Sequence, residues 1–163
     1  MADQVVLELI DQAHRENWKK LDLSNKRISK LPAEIGQLTE LKILYLNDNQ
    51  LIELPDSIGQ LKNLCALYLH KNRLQKLPTT IGNLDKLHIL LLEENDLEDL
   101  PETLENLVQL KALSLEKNNF NSIPEPVFHL EKLRSLDADN NQLSTLTTQV
   151  SYLKNGSIGV SRS

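Results

Sequence analysis

Histidine and cysteine are the side chains that most readily bind metals or act as nucleophiles, and this chain has four histidines and one cysteine. Metal sites need several such ligands at short spacing. The histidines instead stand far apart, at His14, His70, His88 and His129. Cys65 has no second cysteine with which to form a disulfide or a zinc site. We predict no metal site, and we interpret Cys65 as a partly covered structural side chain rather than a reactive thiol.

Phosphate-binding and catalytic motifs do not occur in the sequence. A phosphate-binding loop contains Gly-Lys followed by Ser or Thr, and none of the five glycines precedes a lysine. No spacing of Ser, His and Asp marks a hydrolytic triad. The sequence therefore predicts a protein that is not an enzyme and that needs no cofactor.

The charge of the chain argues against nucleic acid and membrane partners. The formal net charge is −5, which opposes binding to nucleic acid or to an anionic membrane. Residues 1–82 carry 11 basic and 10 acidic side chains, whereas residues 83–163 carry 7 and 13. We recognise no signal peptide and no transmembrane span. With a single cysteine, the chain fits a reducing, cytoplasmic location, and a secreted effector stays open as the alternative.

A period of 23 residues organises most of the chain. Each unit has two leucines separated by one residue. An asparagine, a proline and, near the end of the unit, an aliphatic residue follow. The clearest unit reads Leu41-x-x-Leu44-x-Leu46-x-x-Asn49-x-Leu51-x-x-Leu54-Pro55-x-x-Ile58-Gly59-x-Leu61. The asparagines of the period are Asn49, Asn72, Asn95, Asn118 and Asn141. Repetition at a short fixed period predicts a solenoid of stacked units.

The spacing within one unit predicts its local structure. Alternation at Leu44 and Leu46 is typical of a short strand with one buried face, and identical units stacked in register form a parallel sheet. We expect the asparagine to be buried after the strand, where its amide satisfies backbone groups left unpaired by the turn. Proline begins the return segment, and we expect Gly36, Gly59 and Gly82 to end a helical turn with positive φ.

These residues resemble the leucine-rich-repeat family, in its 23-residue class with a Leu-Pro-x-x-Ile-Gly-x-Leu return segment, known from bacterial proteins and from intracellular Ras-associated proteins. The resemblance implies an α/β fold, a right-handed β–α superhelix with about six parallel strands on its concave face. It also implies a role in protein recognition. The repeats span residues 18–153, preceded by a helical cap at 1–17 and followed by a tail at 154–163, all in one domain.

The two ends of the repeat array depart from the period. Residues 3–16 have the pattern of an amphipathic helix, which we interpret as a cap over the first repeat. A membrane-binding helix is the alternative, but the segment lacks the basic polar face that this role requires. At the other end, either the tail forms an extra strand through Ile158 and Val160, or something else covers the last repeat.

Outward-facing strand positions build four columns along the concave face. The first column is Ile43, Ala66, Ile89, Ala112 and Ser135. The second is Asp22, Tyr45, Tyr68, Leu91, Ser114 and Asp137. The third is Ser24, Asn47, His70, Glu93, Glu116 and Asp139. The fourth is Asn25, Asp48, Lys71, Glu94, Lys117 and Asn140.

Two features of these columns predict a binding site. An apolar patch lies at the centre, and exposed aromatic and aliphatic patches usually mark partner sites. An acidic flank lies beside it. The predicted site residues are Ile43, Tyr45, Tyr68, His70, Ile89, Leu91, Glu93, Glu94, Glu116, Asp137 and Asp139. The simpler interpretations are that strands favour Tyr, Ile and Leu in any case, and that the charges are a solvated surface.

The leading hypothesis is a non-enzymatic interaction module or scaffold that binds a protein or peptide with an apolar centre and a basic side. One alternative is a structural spacer that self-assembles through its C-terminal end. Another is the recognition arm of a larger protein, such as a relative that carries a Ras-like GTPase domain.

Overall fold

The computed structural model describes residues 2–143 and 157–159. One α-helix, α1, spans Ala2–Arg15. The strands are β1 Lys20–Asp22, β2 Ile43–Tyr45, β3 Ala66–Tyr68, β4 Ile89–Leu91, β5 Ala112–Ser114, β6 Ser135–Asp137 and β7 Ser157–Gly159. Five return segments each contain a 3₁₀ helix, at Ala33–Gln37, Asp56–Gln60, Thr79–Asn83, Glu102–Asn106 and Glu125–His129.

The strands form one parallel sheet in chain order. Neighbouring strands pair at the repeat spacing, so that Leu44 lies beside Leu67 and Leu67 beside Leu90. The predicted solenoid with one parallel strand per repeat is confirmed. β7 pairs with β6 and adds a seventh strand, with Leu136 opposite Ile158. The extra-strand alternative for the tail is thus the one observed, while Val160 and the predicted end of the repeats near residue 153 lie outside the described residues.

The core is a continuous column of leucine with a few isoleucines. In the central repeats, the leucine within each strand and the leucine just after it, such as Leu44 and Leu46, are fully buried. Each packs between the equivalent leucines of the repeats on either side. Aromatic side chains are scarce in the chain, and Phe120 is the one that replaces an aliphatic residue inside the described core. Each repeat contributes a similar thin layer, so the stability of the array comes from contacts between neighbouring repeats.

The buried asparagines connect neighbouring repeats, as expected. Asn95 Nδ2 donates to the carbonyls of Leu69 and Leu92, both at 3.0 Å, and its Oδ1 accepts from the backbone N–H of Leu74 at 2.9 Å. Leu69 and Leu74 belong to the preceding repeat, whereas Leu92 belongs to the same repeat as Asn95. One amide therefore satisfies backbone groups of two turns that the strands leave unpaired.

The expectation for the return-segment glycines is wrong. None of Gly36, Gly59 and Gly82 has a positive φ. A Cβ atom on Gly59 would lie 2.7 Å from both Cβ and the carbonyl oxygen of Thr80 in the next return segment. The period selects glycine there because consecutive 3₁₀ helices approach too closely for a side chain, not because the backbone is left-handed.

Helix α1 covers the first repeat. Val6, Ile10 and Ala13 are buried in the same core cluster as the leucines. Asn17 follows the helix, and its φ of 53° places it in the left-handed region. The N–H of Trp18 then donates to Ala13 O at 2.9 Å, which is the hydrogen bond of a Schellman cap. This Schellman cap turns the chain so that the side chain of Trp18 packs against the core. In the described residues, α1 and the shorter helices all lack the length and hydrophobicity to span a membrane.

Candidate binding face

The parallel register brings the first three predicted columns together on one surface of the sheet. Tyr45 lies directly opposite Tyr68, and Tyr68 lies opposite Leu91. Their side chains are half-buried, and no other segment of the described chain packs over them. We use the term concave face for this surface of the sheet.

An aromatic stack occupies the centre of the concave face. The rings of Tyr45 and Tyr68 lie 4.7 Å apart and are inclined by 10°, and the ring of His70 meets Tyr68 edge-on at 6.3 Å. The Nζ atom of Lys20 lies 5.4 Å from the centroid of the Tyr45 ring. Stacking restricts the orientation of both rings, so the two tyrosines present one continuous aromatic surface.

Lys20 is a residue of this face that the sequence columns missed. It pairs in register with Ile43 and so begins the first column, one repeat earlier than expected. Applying the 23-residue period backward from Ile43 would have found it. Its ammonium contacts the Tyr45 ring as a cation–π pair.

The side chains become smaller toward the C-terminal end of the face. In the second column Leu91 is followed by Ser114, and in the first column Ile89 is followed by Ala112 and then Ser135. The result is an open depression of about 350 Å³ over β5 and β6. Its edges carry the carboxylates of Glu93, Glu116 and Asp137, and none of the described residues that line it is basic.

Among the described residues, the acidic third column is only partly compensated. Nδ1 of His70 lies 3.5 Å from Oε1 of Glu93, and both side chains are about one-fifth exposed. Glu116 Oε1 accepts a hydrogen bond from Asn140 Nδ2 at 3.3 Å, which supplies no positive charge. Asp139 is also half-buried at this end of the face. The negative charge near the depression therefore remains available to a cation.

The fourth column differs from the other three. All six of its residues have φ between 53° and 59°, because the chain turns sharply there after each strand. Charges alternate along the column from Asp48 to Lys117, and Lys117 Nζ lies 3.4 Å from Glu94 Oε1. Glu94, which we predicted as part of the acidic flank, is thus paired and contributes less to it than Glu93 does.

Asp22 ends the second column at the N-terminal side. Its carboxylate accepts hydrogen bonds from the hydroxyl of Ser24 at 2.6 Å and from the backbone N–H of Ser24 at 2.9 Å. The Ser24 hydroxyl above all holds the pKa of Asp22 below its ordinary value, and Lys26 and Lys20 lower it further. Asp22 therefore keeps its charge, close to the ammonium of Lys20.

Metal and thiol chemistry find no support in the geometry. No group of three or more potential metal ligands converges within residues 2–143 or 157–159. Cys65 is half-buried beside β3, and its Sγ lies 3.4 Å from the carbonyl of Asn63. Sequence reasoning placed Cys65 in the same way, as a partly covered side chain.

The repeat geometry and comparison with known proteins define the class of this protein. Residues 17–92 match the family described as leucine-rich repeat region, and residues 85–143 match the family described as leucine rich repeat. Between them the two matches cover all the repeats from β1 to β6. The chain is a leucine-rich-repeat protein.

Solved structures agree with this assignment. A leucine-rich-repeat protein of Leptospira interrogans is 31% identical with a TM-score of 0.68, and the match covers 88% of this chain and 48% of that one. The plant peptide hormone receptor RGFR1, in complex with RGF2, is 31% identical with a TM-score of 0.76, over 91% of this chain and 25% of the receptor. The chain thus spans about half and a quarter of these two proteins. No curated protein matches it.

Proposed function

We propose that this chain is a non-enzymatic recognition module that binds a protein or peptide on its concave face. The observation that carries the proposal is the stack of Tyr45 on Tyr68, which lies at the centre of the face and is partly exposed. Tyrosine is enriched among the residues that contribute most to binding energy, and ordering a ring that is already stacked costs little entropy. The similar receptor is a peptide hormone receptor, which supports a peptide or protein as the class of ligand.

The electrostatics of the face favour a partner with a basic side. Glu93, Glu116, Asp137 and Asp139 lie together beside the aromatic stack, in the half of the chain whose net charge is negative. Exposed charges of one sign mainly accelerate association and select among partners, whereas buried aromatic contacts slow dissociation. The two parts of the face would therefore contribute to binding in different ways.

We also propose where the module acts and whether it acts alone. We propose a cytoplasmic scaffold, which the single cysteine at Cys65 supports. A recognition arm within a longer protein is the second candidate, and the partial coverage of both similar structures favours it. In either setting the binding surface would be the same.

The experiment is capture of partners from a cell extract on immobilised chain, with Tyr68→Ala compared with the wild type. The matched control is Val108→Ala, which truncates an apolar side chain that is 54% exposed outside the strands. We expect Tyr68→Ala to lose about 2 kcal/mol or more of binding free energy with little change in melting temperature. Full capture by Tyr68→Ala, or equal loss in Val108→Ala, would place the binding surface elsewhere.

A further inference from the structure

We infer that the ligand of the concave face is an extended peptide segment that crosses the strands. One aliphatic or aromatic side chain of the segment packs on Tyr68 and Leu91. A lysine or arginine four residues away enters the depression over β5 and β6. This inference rests on the proposed function and specifies the chemistry of its ligand.

The apolar contact follows from the shape of the second column. Tyr45, Tyr68 and Leu91 are consecutive across β2, β3 and β4, and Ile43 and Ile89 flank them in the first column. The series ends at Ser114, so the apolar surface is confined to β2, β3 and β4. Because the rings of Tyr45 and Tyr68 are stacked, their exposed surface is continuous rather than divided between two separate contacts.

The basic contact follows from charge complementarity in the depression. Ala112, Ser114 and Ser135 form a floor of small side chains, and Glu93, Glu116 and Asp137 supply three carboxylates around it. The volume of about 350 Å³ is at the lower end of the range for ligand pockets. In the fourth column, the neighbouring carboxylate of Glu94 already has Lys117 as its cation. Around the depression, Glu93 has His70 Nδ1 at 3.5 Å and Glu116 accepts a hydrogen bond from Asn140. No described lysine or arginine lines it, so a cation from the ligand fits there.

The spacing between the two contacts follows from sheet geometry. Neighbouring strands lie about 4.8 Å apart, so Tyr68 on β3 and Ser114 on β5 are separated by roughly 10 Å, and Ser135 on β6 lies about 5 Å further. An extended peptide advances about 3.3 Å per residue. Side chains of an extended segment alternate between its two faces, so the apolar and basic residues that both face the sheet are four positions apart, about 13 Å. Because the contacts lie on different strands, the peptide runs across the sheet rather than along a strand.

The experiment selects peptides from a library of random decapeptides displayed on phage, with the immobilised full chain as bait. We expect the wild type to enrich an aliphatic or aromatic residue followed or preceded, four positions away, by Lys or Arg. Glu116→Gln should weaken the selected peptide about tenfold. Glu102→Gln is the control, since this exposed carboxylate lies on a return segment. Glu116→Lys should change the selected residue at the basic position to Asp or Glu, a change that misfolding cannot produce.

The outcomes separate this inference from the proposed function. Peptides that depend on Tyr68 but show no paired basic residue would overturn the inference and leave concave-face binding intact. A basic preference that persists in both Glu116→Gln and Glu116→Lys would also overturn it. No enrichment by the wild type would overturn the inference as well. Peptides retained equally by Tyr68→Ala would contradict the proposed function itself.

Discussion

Gly59 packs directly against Thr80 of the next repeat, in a space that no Cβ atom fits. The Thr80 hydroxyl donates to the carbonyl of Asp56 at 2.7 Å and so joins the two return segments at this point. The same arrangement joins Gly36 to Ser57 and Gly82 to Thr103. In the following pair of return segments, both the glycine and the hydroxyl residue are replaced. Glu105 stands at the glycine position and Pro126 at the position of Thr103.

We expect Gly59→Ala to lower the free energy of unfolding by roughly 1–3 kcal/mol, because the added methyl group overlaps backbone as well as side-chain atoms of Thr80. The control is Glu105→Ala, at the same repeat position but in an exposed side chain, which should change stability by less than about 0.5 kcal/mol. Urea denaturation followed by circular dichroism measures both. Equal midpoints for the two variants would contradict close packing of the return segments.

Asn95→Ala should destabilise the chain by roughly 1–3 kcal/mol, since it leaves the carbonyls of Leu69 and Leu92 without their amide donor in a buried turn. Asn106→Ala removes an exposed asparagine from a return segment and should cost less than about 0.5 kcal/mol. The difference is measured by chemical denaturation. Similar losses in both variants would mean that the asparagine ladder does not stabilise the array.

Substitutions at Lys71 test whether the backbone of the fourth column is left-handed. Its φ is 57°, a conformation that asparagine tolerates and that a β-branched residue adopts only with strain. Lys71→Asn and Lys71→Val remove the same charge, so their difference reports the backbone. We expect the asparagine variant to be more stable than the valine variant by roughly 1–2 kcal/mol. Indistinguishable melting temperatures would argue against a left-handed turn at this position.

The ionisation of Asp22 makes the stability of the folded chain depend on pH. Because folding lowers its pKa, the carboxylate contributes stability above its unfolded pKa, and that contribution is lost as the pH falls through the folded pKa. We expect Ser24→Ala to raise the pKa of Asp22 toward its ordinary value, since it removes the strongest hydrogen-bond donor. Carboxyl carbon NMR titration measures the shift, with Ser29→Ala as the control. An unchanged pKa in Ser24→Ala would assign the effect to the backbone N–H and the lysines instead.

Sequence periodicity predicted the architecture of the chain because stacked repeats contact mainly their neighbours. One unit with its period therefore specifies the sheet, the register and which side chains are buried. The inward leucines and the buried asparagines follow from this pattern. The helix before Trp18 was predicted instead from the amphipathic pattern of residues 3–16. The columns of the concave face follow from the same alternation, since successive strand residues point to opposite sides.

Tertiary structure alone decided how side chains of different repeats meet. The reason for glycine at Gly59 depends on the distance to Thr80, which the period does not contain. The pairing of Glu94 with Lys117 depends on the sharp turn that takes both residues away from the sheet surface. The stack of Tyr45 on Tyr68 and the depression beside Glu116 depend on rotamers and on side-chain volumes in adjacent strands. Periodicity specifies which residues become neighbours, whereas distances and orientations between neighbours arise only when the repeats pack together.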